Sequence, residues 1–583
     1  MGQPIRLEMM GGILCLLLAW ATQSAATEVQ FAFNESSASA ARSFIAQGDS
    51  SPEFDSLVIE NLGNTTVEDA WVVVNGKDWS TLEGLTSAIL GLHSNPNTVH
   101  KKIMTTWAFY KQNIYHYTPA TASGLIHYPQ LLFNGLGYGF CDDMANSMEG
   151  VAEICLGFAD VDTRIWALNG HLVPEFFYDQ RGDGNEDWHM PDPDIAFFTQ
   201  GDKLLNVEDM TQTYNWLIPE VFPGTYGEAL ADIYSSTEDN NVQADYGWEG
   251  TSAYDMKFRL EPGKRIEMMQ GNVGKYFGNL DHDTPPPQYS NGRIVAGNII
   301  SKFPATVLEY SSIQATDGKL QVAAGQTSGY FILEAKIPQI LVDSKLTLNF
   351  TSRPYSSNVK VYVNPDKNGL PNWLLVSGVR SANTMTYDLA TQVNMTTNLV
   401  FFQDLKVKVV LIQGLGISDV QMESTFELAT RSLPDLRAGE NQLWVKSSSP
   451  TLPGLQVTLS YHERSGLGPP QQVVLDPALR RLDWQPPEKP DPQLQKYHVM
   501  LSPDPDCLWP VQPWVTEFDT SKDSSSAVMD DLDLFLEEGK TYYYKVESIY
   551  GGNNRTYSAS SAIGSFRFSQ TGGELMPAGW MIR

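Results

Sequence analysis

Hydrophobic positions change period twice along this chain. Between Ser80 and Leu92, and again from Val99 to Asn113, apolar residues recur at helical spacing, with Ile103, Trp107 and Tyr110 on one face of the second stretch. A third stripe, Met144, Met148, Val151, Ala152 and Cys155, predicts an amphipathic helix opened by Cys141 and closed by Gly157. Strand-like runs precede these helices at Leu57-Val-Ile-Glu-Asn-Leu62 and Ala70-Trp-Val-Val-Val-Asn75. After Arg293 alternation at period two takes over, as in Lys345-Leu-Thr-Leu-Asn-Phe350 and Val359-Lys-Val-Tyr-Val363, and the remainder reads as β. Asn169-Gly170 lies between two short strand patterns, Thr163 to Leu168 and Leu172 to Tyr178, and predicts a hairpin whose second strand His171 begins. Alternation there puts His171, Val173, Glu175 and Phe177 on one face. Pro174 inside that strand is tolerable only at an edge or a bulge.

These patterns divide the 583 residues into an order of units, consistent with the roughly three to five domains that such a length supports. Residues 1–26 carry Arg6, an apolar run and Ser24-Ala25-Ala26, the parts of a secretory signal peptide. Residues 27–117 are an N-terminal α/β support region, and 118–293 the module that carries the chemistry. Residues 294–484 form a β-sandwich region, and 485–575 a last sandwich that follows the proline-rich connector Gln485-Pro-Pro-Glu-Lys-Pro-Asp-Pro492. The leader-like run is too short to span a bilayer, and nothing after it approaches the ~20 apolar residues of a membrane helix. The expectation is a secreted protein without an integral membrane segment.

Composition sharpens this. A net charge of −29 and a pI near 4.6 repel phosphate backbones, which argues against nucleic acid as a partner. Sequons at Asn34, Asn64, Asn349, Asn394 and Asn554 fit an exported glycoprotein. With Cys15 in the leader, Cys141, Cys155 and Cys507 remain, an odd number in a secreted chain. Cys141 and Cys155 lie fourteen residues apart on one predicted helix, about 21 Å, and cannot pair.

Cys141 stands where a cysteine becomes a nucleophile. Unpaired N–H groups and the positive dipole end of a helix favour thiolate over thiol, although Asp142 and Asp143 in the first turn oppose it. His171 is the candidate base, and Asp192, after Trp188-His-Met-Pro, the candidate carboxylate that fixes its tautomer, with His189 and Asp194 as rivals. Gln130 or Asn134 could donate to an oxyanion, and Trp188 flanks the site. Asp179, Asp183, Asn185 and Asp187 offer oxygen ligands for calcium, but Arg181 stands where a calcium loop wants an acid. No cofactor is expected, with calcium the one possible exception. Arg181-Gly-Asp183 and Asp366-Lys-Asn-Gly369 read as loop and turn.

From Tyr128 to Asp194 the chain resembles the transglutaminase-like superfamily: Gly139-x-Cys141 opening a helix, Arg164 leading a strand, Gly170-His171, Glu175, then Trp188 before Asp192. The resemblance implies an α+β multidomain protein, with a papain-related catalytic domain followed by β-sandwich domains. It also implies Cys141 as nucleophile, His171 as general base and acid, and Asp192 as orienting carboxylate. Asp142 stands where calcium-dependent animal transglutaminases carry a Trp, which aligns the chain with the microbial-type branch. The tail after Gln485 resembles a fibronectin type III domain. Three functions fit these residues. They are a thiol enzyme acting on amide bonds of an extracellular protein, a glycan-active lyase or hydrolase, and a non-catalytic adhesion scaffold.

Overall fold

In a computed structural model the described residues are 27–33, 39–46, 51–117, 127–153, 163–222, 224–235, 241–243, 255–277, 285–365, 373–393, 395, 402–452, 454–464, 467–476, 479–488, 491–529, 532–552 and 554–569. The signal-peptide assignment, Asn34, Cys155, Gly157, Asp366 to Gly369 and Asn394 lie outside them. The protein is mostly β, about 47% strand against 17% helix, arranged as several sheets in sandwich-like units. This overturns the expected α+β class and its papain-related domain. The helices that suggested it are of 9 to 15 residues, and their sequence periodicity says nothing about how much sheet surrounds them.

The chain ends of this β architecture are interleaved. Thr27–Phe33 pairs antiparallel with Leu455–Arg464, which in turn pairs with Ser51–Asn61. Ser51–Asn61 continues to Lys264–Met269, Ser290–Ala296, Gly416–Leu428 and the 23-residue strand Ser328–Phe350. A second sheet sets Phe258–Leu260, Val67–Val74, Gly439–Lys446 and Ser39–Ala46 side by side. Leu57, Ile59, Ile266, Val457 and Leu459 from the first sheet and Val67, Ala70 and Leu443 from the second belong to one buried apolar core. The strands of the N-terminal region and those of residues 294–484 therefore share sheets, and the helices and the cysteine–histidine hairpin are carried between Val67–Val74 and Phe258–Leu260.

Within that insertion Leu82–Leu90 and Val99–Asn113 begin at Thr81 and Thr98, whose hydroxyls accept from the N–H groups of Gly84 and Lys101. Ile103, Trp107 and Tyr110 are buried against Phe133, Met144 and Met148. The four-stranded sheet Asn241–Gln243, Thr163–Leu168, His171–Tyr178, Asp187–His189 packs beside the Cys141 helix. Its central hairpin turns at Asn169-Gly170, with Gly170 at φ +72°, a conformation glycine enters freely. Asp187–His189 covers only Phe176–Tyr178 of the histidine strand, so Pro174 sits where that strand is an edge on its far side. Residues after Gln485 complete two further antiparallel sheets around Leu482, Trp484, Tyr497, Val499 and Val546, which share their core with Trp166, Phe198 and Tyr234 of the insertion. Among the described residues no helix is long and apolar enough to cross a membrane.

Candidate functional site

Cys141 is the first residue of the helix Cys141–Val151. The preceding chain is set by two glycines: Gly137 takes φ +73°, and a side chain on Gly139 would put its Cβ 2.9 Å from the Cβ of Asp143. That close approach lets Asp143 Oδ2 accept the Phe140 N–H at 2.9 Å, capping the helix. Met144, Met148, Val151 and Ala152 are buried along the inner face, which holds the helix mouth still. Burial and the neighbouring Asp142 push the Asp143 carboxyl up to about 8 against the pull of the Phe140 N–H. Near neutrality it is therefore largely uncharged, and the opposition to a thiolate expected from two first-turn acids falls mainly to Asp142.

His171 begins its strand beside this helix, with its Nε2 2.8 Å from Asp192 Oδ2. Its other ring nitrogen, Nδ1, is turned to the Cys141 side, where Cys141 Sγ, a His171 nitrogen and an Asp194 oxygen lie within 4.8 Å of one another. Burial lowers the His171 pKa, but the charge and hydrogen bond of Asp192, together with Cys141, outweigh it and raise the value to about 10. Asp192 is held on every side. Its Oδ1 accepts the N–H groups of Asp194 (2.8 Å) and Ile195 (3.2 Å), its Oδ2 also accepts the Tyr234 hydroxyl, and its own carbonyl accepts Trp107 Nε1 at 2.8 Å. Burial alone would raise the Asp192 pKa, but His171 and these donors keep it below the usual carboxylate value. Lys111 fixes the same loop through the carbonyls of Asp194 and Ile195.

The rivals resolve by position. Asp194 Oδ1 is 2.7 Å from His116 Nδ1, and its Oδ2 is 4.0 Å from His171 Nδ1, so it flanks the thiol side rather than the far nitrogen. His189 pairs in register with Phe176, five residues along the strand from His171, and its Nδ1 meets the Leu204 carbonyl at 2.8 Å. Glu175 is a sheet anchor, taking Arg164, Trp166 Nε1 and the Val207 N–H.

Three other expected site residues are not brought together with these. Both donor hydrogens of the Asn134 amide go to backbone carbonyls, of Trp79 and Gln130, each at 2.8 Å. Gln130 is fully buried in the turn Pro129–Leu131. Trp188 is opposite Phe177, six residues from His171 and so about 20 Å along the strand, with the Arg164 guanidinium stacked 3.8 Å over its ring. Oxyanion donors at hand are the N–H groups of the helix start itself, which have no partner within the helix. Asp179 spends its carboxylate on the N–H groups of Arg181, Gly182, Asp183 and Gly184, and Arg181 pairs with Asp202 at 2.5 Å.

Sequence reasoning missed Tyr234 and His116. Tyr234 comes from the helix Thr225–Ser235, more than forty residues after Asp192, and carried no signal beyond an apolar spacing. His116 arrives through a two-residue parallel pairing, Tyr115 with Tyr138 and His116 with Gly139, too short to leave a pattern.

No protein-family model matches the chain, and no curated protein does. Among solved structures, a β-glucuronidase from Parabacteroides merdae aligns over 52% of this chain and 35% of its own at 10% identity, with a TM-score of 0.12. This chain thus spans about a third of that enzyme's length. The adhesin domain of Epf from Streptococcus pyogenes aligns over 51% of this chain and 87% of its own at 8% identity, also with a TM-score of 0.12. Likenesses this slight carry no argument about architecture or activity.

Proposed function

We propose that this chain is an exported thiol enzyme that acts on amide bonds through an acyl-thioester, the chemistry of transglutaminase-like proteins borne here on a mostly β architecture. One observation carries the reading: a buried imidazole bound to a carboxylate at 2.8 Å, with the sulfur of a helix-opening cysteine within 4.8 Å of a ring nitrogen. The proton shared by Cys141 and His171 rests on Nδ1 of the imidazole, which its carboxylate and sulfur neighbours keep protonated near neutrality, as Sγ attacks the substrate carbonyl carbon. The carbonyl oxygen becomes an oxyanion facing the N–H groups at the helix start. His171 then returns the proton to the leaving nitrogen, the carbon–nitrogen bond breaks, and a thioester remains on Cys141. Water or an amine attacks it, again giving a proton to His171, and the thiol is released. Water makes the protein a protease or amidase; an amine makes it a transglutaminase. The leader-like start and the sequons support export.

The test is amide cleavage and amine incorporation by the wild type and by Cys141→Ala, with and without iodoacetamide. Activity that both treatments abolish supports the reading, and activity that survives them overturns it.

A further inference from the structure

The reaction above uses Cys141, His171 and Asp192. It leaves Asp194 unused, although this side chain stands on the thiol side of His171. Its carboxylate, buried although the residue as a whole is only half-buried, lies 4.0 Å from His171 Nδ1, the nitrogen on the Cys141 side. A negative charge there repels a thiolate and competes with sulfur for the imidazole, so for a pure nucleophile it is a liability. The same position completes a face of three different donors.

We propose that Cys141 Sγ, His171 Nδ1 and an Asp194 carboxylate oxygen form a zinc site which, when filled, withdraws the nucleophile from the reaction just described. The metal-binding claim stands on its own; the inhibition rests on the acyl-transfer reading. The three donor atoms lie within 4.8 Å of one another. Tetrahedral zinc with bonds of about 2.0–2.3 Å needs donors roughly 3.3–3.8 Å apart, so closure takes about 1 Å of side-chain rotation. A thiolate, an imidazole and one carboxylate suit Zn2+, whereas calcium and magnesium want oxygen alone. Cys141 is partly exposed while His171 and Asp194 are buried in side chain, which gives the ion an entry path and leaves the fourth position for water.

The surroundings support ligation as well as they support catalysis. His171 donates its far nitrogen to Asp192, the carboxylate–histidine arrangement that fixes a ligand's ring and strengthens its donor nitrogen. Asp194 is turned by His116 on its other oxygen, and its own N–H is bound by Asp192. Both buried ligands are therefore already oriented. Two further groups of His and acid residues lack this character. His93 already has both ring nitrogens engaged, Nε2 with Asp504 at 3.0 Å and Nδ1 accepting the Asn95 N–H at 2.8 Å, and that group contributes no sulfur. In the group of His127, Asp142 and Asp143, Asp143 is committed to capping Phe140. The binding step exchanges the proton of the Cys141 thiol, and any proton on His171 Nδ1, for one Zn2+, with no redox change.

The experiment uses the whole chain, stripped with a chelator and titrated with Zn2+ by calorimetry, with Co2+ as a spectroscopic substitute. Expected are one Zn2+ per chain, a thiolate-to-cobalt charge-transfer band in the near ultraviolet, and protection of Cys141 from iodoacetamide that chelator reverses. Cys141→Ala should abolish the band, and Asp194→Asn should weaken Zn2+ by at least about tenfold, while Asp504→Asn leaves both unchanged. No binding, or binding that Cys141→Ala and Asp194→Asn leave intact, overturns the proposal, and wild-type cobalt spectra decide it even if a variant fails to fold. Zinc binding without amide chemistry in the stripped protein would refute the enzymatic reading and keep the metal site; amide chemistry without zinc binding would do the reverse.

Discussion

Replacing Asp192 by Asn is the most telling single change, because the present hydrogen bonds dictate how the new amide must sit. Oδ1 of Asp192 accepts two backbone N–H groups, from Asp194 and Ile195. An amide NH2 there would face two donors, so the asparagine places its oxygen at that position and its NH2 toward His171 and Tyr234. Nε2 of His171 must then accept, which moves the ring proton to Nδ1, the nitrogen needed to take the proton of Cys141. Tautomer inversion of this kind costs a Ser-His-Asp protease about 10⁴ in rate, or about 5.5 kcal/mol at 1.36 kcal/mol per decade. We expect a similar loss here in amide turnover, and a parallel loss in the rate of Cys141 alkylation near neutral pH. Stability should fall less, by about 2–3 kcal/mol, since the two backbone bonds survive and only the charge-assisted ones weaken. Stopped-time alkylation mapped by peptide mass, together with urea unfolding, reads both. An Asp192→Asn protein that alkylates and turns over within a few-fold of wild type would refute the orienting role.

Other consequences follow from the same contacts. Asn134→Ala should cost about 1–3 kcal/mol by urea unfolding through the lost bonds to Trp79 and Gln130, while activity per folded molecule stays near wild type. A large drop in kcat alone would restore Asn134 to the oxyanion. Gly139→Ala drives a Cβ into Asp143 and should lower stability by about 1–3 kcal/mol and slow Cys141 alkylation, since it displaces the cap at the helix mouth; a neutral result would show that the approach is not needed. Glu427, accepting from Tyr138 at 2.8 Å and Phe277 N at 2.6 Å, is raised by burial to about 8. Because its native value exceeds its unfolded one, its stabilising contribution is complete below about pH 4.5 and is lost as pH climbs toward 8, by at most about 1.4 kcal/mol per pH unit. Glu427→Gln should flatten that slope in denaturation curves, and an unchanged slope would assign it elsewhere. His498, between Glu517 at 3.2 Å and Asp519 at 3.1 Å, is desolvated by burial, but these carboxylates raise it to about 10. Its contribution is present below about pH 6.5 and fades as pH rises through 10, so His498→Asn should remove the alkaline part of the decline.

What was legible in the sequence was local. Asn169-Gly170 marked its turn to the residue, the stripe from Met144 to Ala152 marked the buried face of the Cys141 helix, and Pro174 announced an edge. Pairings such as Thr27 with Tyr461 were not legible, because strands separated by hundreds of residues carry no mark of their register. The fold class was misjudged for that reason: three clear helices stood out, while the sheets that dominate the molecule are assembled from distant segments. Asn134 shows a second limit. A polar residue near a nucleophile in sequence looks like a donor, but here its amide is consumed by backbone carbonyls that only the folded chain brings near. His116 and Tyr234 belong to the same blind spot, since each reaches the Asp192–Asp194 loop through tertiary packing alone.

The most direct test of the account is to quench the protein during turnover of an activated acyl ester and map the acylated peptide by mass spectrometry. The account predicts an acyl group on the peptide that contains Cys141, absent from Cys141→Ala. Acylation confined to another residue, such as Cys507, or turnover undiminished in Cys141→Ala, would contradict it.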